Sequence, residues 1–250
     1  MAGKDHGIGN ALYVEGHDLS GETQTWTISG QKKMQNVTNI RQAAFDRLAL
    51  IPDGSFNYES LFDPAVGHSH AYLSTLPTTD ALTLLAHRET IGAPAWNMYC
   101  KQIDYNPSRN TDGALLFKVA GQSSKGTFWD VGNMLTNGMR VDVAATNGAS
   151  FNFGAANAFG LQAYLHVFAF TGTTCTVKLQ HSSDNGGTDP FADIAGGAFT
   201  AITGGAPYGE RLTTARNLAV KQYLRVVTTG TITSVTFAVA AVVNTINVAV

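Results

Sequence analysis

The sequence predicts an all-β fold with one short helix, arranged as two successive β domains. Three observations carry this reading. Apolar residues recur in short alternating or continuous runs of strand length. Gly, Asn-Gly and Thr-Gly signals punctuate those runs. The composition is rich in Gly, Thr, Ala and Asn, and only 14% of the 250 residues are charged, against roughly 25% in a typical soluble domain.

Ala11-Leu12-Tyr13-Val14-Glu15 reads as a strand, followed by a turn around Gly16. Residues 23–29 alternate, with Trp26 and Ile28 on one face. Residues 30–52 read as a long polar connection that contains a short helix over residues 41–48 and ends at Pro52-Asp53-Gly54. Residues 55–61 form the next strand, with Phe56, Tyr58 and Ser60 on one side. Residues 70–76 read as one or two helical turns that Pro77 stops, and residues 80–87 as a strand. Residues 95–104 alternate so that Trp96, Met98 and Cys100 oppose Asn97, Tyr99 and Lys101. A turn-rich loop over residues 107–113 leads to a strand at 114–122.

Residues 144–160 carry no charge and are rich in Gly, Asn and Ala. They read as a boundary, giving a first domain over 1–145, a linker over 146–160 and a second domain over 161–250. Phe151, Phe153 and Phe159 would be costly on a solvated linker, so they are candidates for packing between domains. Beyond them, strands are expected at 161–170, 174–181, 218–227 and 232–243, a small sandwich or jelly roll. On this reading, residues 1–150 should fold and assemble alone.

The chemistry-bearing residue types form no catalytic pattern. There is no Gly-x-Ser-x-Gly elbow, and no glycine-rich stretch opens a helix as a phosphate loop must. No enzyme activity and no cofactor are therefore expected. His68 and His70 would share a strand face, but no further ligand follows at a metal-site spacing, so no metal is expected. Asp184, Asp189 and Asp193 space three carboxylates through a glycine-rich loop, read as a solvent-facing hairpin rather than a calcium site. Cys100 and Cys175 read as buried free thiols. Met1-Ala2-Gly3-Lys4-Asp5-His6-Gly7 lacks the apolar core of a secretion signal, so synthesis in the cytoplasm is expected. The apolar run at 235–243 is too short for a membrane helix and suits a buried strand. Net charge is −2 and no basic run exceeds Lys32-Lys33, so no nucleic-acid clamp is visible.

Several stretches together resemble one family. They are Leu12-Tyr13-Val14-Glu15-Gly16-His17-Asp18-Leu19-Ser20-Gly21, Pro52-Asp53-Gly54-Ser55-Phe56, the segment from His70-Ala71-Tyr72 to Thr79-Asp80, and Lys101-Gln102-Ile103-Asp104-Tyr105. Gln162-Ala163-Tyr164-Leu165-His166 and Lys178-Leu179-Gln180-His181-Ser182 continue the pattern. The chain resembles the major tail tube proteins of long-tailed bacteriophages with non-contractile tails, especially those infecting actinobacteria. The resemblance implies a tail-tube β-sandwich or barrel followed by an outward-facing immunoglobulin-like or jelly-roll β-sandwich. It implies hexameric rings stacked into a tube in the virion tail, through a loop that carries Lys32, Lys33, Asn36 and Arg41. It implies a channel that passes the tape-measure protein and double-stranded DNA without specific binding, and contacts with tail terminator and distal tail proteins. Residues 1–150 carry 11 basic and 14 acidic side chains (−3), and residues 151–250 carry 5 and 4 (+1). With that imbalance, Glu59, Asp80, Glu89 and Asp104 are the candidates for lining the lumen. Host surface glycans are a further expected partner of the second domain, with Tyr208, Arg211 and Trp129 as loose candidates. A carbohydrate-binding surface protein and a head decoration protein are the competing classes.

Overall fold

The computed structural model describes residues 6–76 and 78–246. Most of the opening segment, and Pro77 with its expected helix stop, lie outside the described residues. In chain order the strands are β1 (Ala11–Val14), β2 (His17–Asp18), β3 (Thr23–Asn36) and β4 (Arg47–Leu61). The helix α1 (Ser69–Leu73) is followed by β5 (Ala81–Ala86), β6 (Pro94–Gln102), β7 (Asn106–Arg109) and β8 (Leu115–Ser123). Then come β9 (Asp130–Met134), β10 (Arg140–Asp142), β11 (Asn147–Asn152), β12 (Leu161–Ser182), β13 (Ala192–Ala198), β14 (Tyr208–Thr213) and β15 (Tyr223–Val243). The fold is all-β with one short helix, as the sequence predicts.

The chain divides into two compact units, but not near residue 145. The first takes the described parts of Met1–Gly21, Leu82–Asn97 and Asp130–Val250; the second is Glu22–Ala81 with Met98–Trp129. Pairing explains the difference. β9 and β10, which precede residue 145, add to β15 together with β11, so segments from both sides of the expected boundary complete one sheet. The expected linker contains the strand β11, where Phe151 pairs with Leu224, and an isolated bridge from Asn157 to Val220. Phe151 and Phe153 meet edge to face at 4.9 Å and pack on the core of this same unit. Phe159 is half-buried, and its carbonyl accepts a hydrogen bond from Asn244 Nδ2 at 3.0 Å.

The first unit is organised by a long ribbon, in which β12 and β15 pair from Leu161↔Val243 to Ser182↔Tyr223. The sequence suggested four strands here, separated by turns at Thr171-Gly172 and Thr229-Gly230. Those glycines bend two continuous strands instead. The register shifts on both sides of Gly172, whose φ is +151° and whose partner is Ile232; Gly230, at +123°, pairs with Cys175 a few residues away. A Cβ on Gly230 would lie 2.4 Å from the Thr174 carbonyl oxygen, so only glycine lets the strands bend this closely. Because of the bend, one ribbon face closes on a single core. Leu161, Ala163, Leu165 and Val167 from one side of the bend share it with Cys175, Val177 and Leu179 from the other, and with Phe237 and Val239. The opposite face of β15 packs a second core, where Ala238 and Ala240 meet Tyr13, Leu84, Ala95 and Met134. Residues 161–167 are therefore buried on both faces, with Gln162 and His166 among them, whereas burial alternates over 175–179.

β1 and β2 join through a two-residue turn in which Glu15 and Gly16 both have positive φ, +48° and +76°, the hairpin geometry that matches strand twist. The Glu15 carboxylate accepts the Leu82 N–H at 2.6 Å and the Gly209 N–H at 3.1 Å. Arg140 and Asp142 form a two-pronged ion pair at 2.7–2.8 Å, and Asp142 also accepts the Thr228 hydroxyl at 2.6 Å. His166 is fully buried, with Nδ1 accepting the Gly16 N–H at 3.3 Å; burial pushes its pKa down to about 3.

In the second unit β4 pairs with β3 on one side and β8 on the other; β7 and the end of β6 pair with the far edge of β8. The alternation read at residues 55–61 holds: Phe56, Tyr58 and Ser60 are buried, with Met98, Cys100, Phe117 and Trp129 in the core and Leu73 of α1 against them. The expected face of β6 is kept only in part. Ala95 and Asn97 are buried, then Met98 and Cys100, so the buried parity changes where β6 passes between units. Residues 106–109, read as turn, pair with β8. Cys100 and Cys175 are free and buried, and burial pushes the Cys175 thiol up to about 11.

Candidate assembly surface

β3 and β4 run well past their neighbours. Their pairing extends from Thr23↔Ser60 to Asn36↔Arg47, whereas β8 leaves β4 at Ser55. Beyond Gly30↔Gly54 the two strands have only each other as strand partners among the described residues. A ribbon without a layer on either face cannot bury its alternating side chains. Met34, Leu48 and Leu50 are exposed for that reason, and Ile51 is 81% exposed. The outer edge of β3 carries no strand among the described residues.

The expected helix over residues 41–48 is absent; β4 begins at Arg47. Side chains satisfy the backbone locally and remove the drive to coil. Asn36 Oδ1 accepts from the Thr38 N–H at 3.0 Å and its hydroxyl at 2.6 Å. Gln42 Oε1 accepts the Asn39 N–H at 2.8 Å, and Thr38 Oγ1 accepts the Asp46 N–H at 2.8 Å. The tip between the strands is thus knitted by polar contacts, while Ile40 is fully exposed and Phe45 is 74% exposed. Arg47 lies over the Phe45 ring at 5.6 Å.

Of the ring-stacking candidates, Lys32 pairs with Pro52, and Lys33 sits at a register irregularity. Asn36 holds the turn, and the Arg41 N–H donates to Asn39 Oδ1 at 3.0 Å. All four lie on this hairpin and are exposed. Ile40, Phe45 and Ile51 are on it too and were missed, because the segment read as a polar connection around a short helix, with no strand period to set out their side chains.

The lumen candidates do not form one group. Glu59, Asp80 and Asp104 are in the second unit and Glu89 in the first. Glu59 pairs with Lys118 at 3.4 Å, and both line a shallow polar groove with Asp104 and Thr25. Asp104 accepts the Ala120 N–H at 2.7 Å. Asp80 accepts the Ser124 hydroxyl, which chiefly holds its pKa below the ordinary range, and lies 3.4 Å from Lys101. Glu89 is exposed and accepts the Tyr13 hydroxyl at 2.5 Å.

The glycan candidates present no aromatic platform. Trp129 is buried against Phe56. Tyr208 packs on the first unit's core, and Arg211 Nε donates to the Tyr164 hydroxyl at 3.2 Å. The carboxylates of the 184–193 loop are engaged by loop donors and by neighbouring lysines. Asp184 accepts from Gly187, Thr188 and Asp189, Asp189 pairs with Lys221 at 2.8 Å, and Asp193 with Lys178 at 2.7 Å. His68 and His70 do not share a strand face. His68 caps α1 and bonds Glu22, with Asp63 at 3.2 Å, while His70 meets the Tyr105 hydroxyl at 2.6 Å. Residues Glu22, Asp63 and His68 do bring three donor groups together, a convergence that their wide sequence spacing concealed.

No protein-family model and no curated protein matches this sequence. Among solved structures, a chain from the virion of a native gene transfer agent particle matches at 11% identity and TM-score 0.41, over 50% of this chain and 98% of that one. The SPP1 Dit (gp 19.1) protein, described as a paradigm of the hub adsorption apparatus in phages infecting Gram-positive bacteria, matches at 10% and 0.35, over 94% and 99%. A chain of the phage p2 baseplate in its activated conformation with strontium matches at 9% and 0.35, over 94% and 98%. Likeness at this level fixes neither the detailed fold nor the function.

Proposed function

We propose that the chain is a structural subunit of a phage tail that builds the tail tube by assembling with copies of itself. The observation that carries this reading is the β3–β4 hairpin. It joins a strand edge that no further strand covers among the described residues to exposed apolar side chains, and monomeric proteins blunt or cover such features. Six copies would join sheet edges around a ring, and the hairpins would bridge stacked rings. The sequence resemblance supplies the remaining roles. The channel would guide the tape-measure protein and the genome, with Glu59, Asp80 and Asp104 as lumen candidates, and the tube would end on terminator and distal tail proteins.

Electron microscopy of the purified protein tests this reading. Open tubes of uniform width with a regular ring repeat are expected. Isolated rings that never stack would place the chain at a tail end instead, and monomers at high concentration would overturn the reading.

A further inference from the structure

The hairpin tip offers apolar side chains, and the first unit contains a receptor for such a group. Ile91, Leu135, Thr136, Arg140 and Ala149 line a largely apolar cavity of about 180 Å³ between the end of β9, the start of β10 and β11. A cavity of roughly 150 Å³ already holds a benzene ring. Beside it, Met139, Val141 and Val143 expose apolar side chains at every second position, Val143 at 70%. β10 pairs with β15 alone, so its outer edge carries no strand among the described residues.

We propose that the β3–β4 tip of one copy seats Phe45 in this cavity of a second copy, with Ile40 and its neighbours lying along the Met139–Val143 strip. This rests on the self-assembly reading above and gives that contact a receptor. Two features favour a second copy as the occupant. The first is charge. Arg41 and Arg47 flank Phe45; the exposed Glu89 carboxylate stands beside Gly138, the residue after the lining residue Asn137, and Arg140 in the lining is already paired with Asp142 at 2.7 Å. The second is area. Seven exposed apolar side chains between Met34 and Ile51 offer roughly 450 Å², at about 100 Å² per full side chain. That is about half of the ~800 Å² each partner gives to a standard interface, leaving the remainder to polar and backbone atoms of the ribbon. A tip that binds a different surface leaves every copy with one unused tip and one unused cavity. Such a heterologous contact repeats until a ring closes or a tube grows.

Disulfide trapping tests the contact on the full chain. Ala44→Cys, next to Phe45 on the tip, and Ala149→Cys are made as separate proteins that both keep Phe45; both sites are exposed and both native thiols are buried. The two are mixed, oxidised and compared with Ala44→Cys mixed with Ala201→Cys, another exposed position. At least tenfold more heterodimer in the Ala44/Ala149 mixture is expected. Assembly is followed by light scattering in the same samples. Assembly with no excess over the control overturns the receptor and leaves the self-assembly reading standing. Absence of both assembly and cross-link overturns both. A double variant that closes its disulfide only within monomers also overturns the proposal, because tip and cavity would then meet in one chain.

Discussion

Two long antiparallel ribbons in this chain are built alike and end in different surroundings. β12–β15 carries layers on both faces over 161–167, and Leu161, Val167 and Phe237 there are fully buried. The outer half of β3–β4 carries none, so Met34, Leu48 and Ile51 remain exposed. Both ribbons alternate and both hold apolar residues. What separates them is whether other strands supply a second layer, so one ribbon is buried in cores and the other keeps its apolar side chains exposed.

Cutting the chain after residue 150 tests this contrast most severely. It removes β12 and β15, the partners of β9 and β10. The loss of these cores should exceed the ~5–15 kcal/mol by which a typical domain is stable. The fragment is expected to be insoluble or to lack a cooperative thermal transition, and a soluble, cooperatively melting fragment would break the comparison. Phe237→Ala, inside the buried ribbon, should cost about 3–5 kcal/mol in urea unfolding of the subunit.

Acid should weaken the buried ribbon through His166. Its pKa is about 3 when folded, against an ordinary 6.5. Between those values the unfolded chain binds a proton that the folded chain refuses. The stability this group contributes is full above about 6.5 and falls as pH drops toward 3, by up to about 1.4 kcal/mol per pH unit. Urea midpoints of the native protein and His166→Gln should converge as pH falls; parallel curves would remove His166 from the account. Gly230→Ala, at the bend, should cost about 1–3 kcal/mol through its backbone conformation. The smallest effect is expected at the tip. Phe45→Ser should change monomer stability by less than about 0.5 kcal/mol, while light scattering shows assembly impaired.

Much of this was legible in the sequence because it depends on near neighbours. The alternation of Phe56, Tyr58 and Ser60, the turn at Gly16 and the helical turns after His68 all follow from period and local backbone preference. So did the all-β class with one short helix, and the burial of Cys100 and Cys175. The tip was misread because Asn36, Thr38 and Gln42 bind backbone groups across a turn whose shape only the paired strands impose.

What only the tertiary structure decided was which strands share a core. The charge-free stretch over 144–160 has the composition of a linker, yet it contains β11, because the edge of β15 offers unfilled hydrogen bonds and an apolar face for Phe151. Gly172 and Gly230 read as turns in isolation. Paired with each other's strand they became a shared bend, because glycine permits a backbone approach that any Cβ would block. The sequence determined the strands and their faces. Long-range pairing, set by the burial of those faces, decided where one unit ends and the other begins.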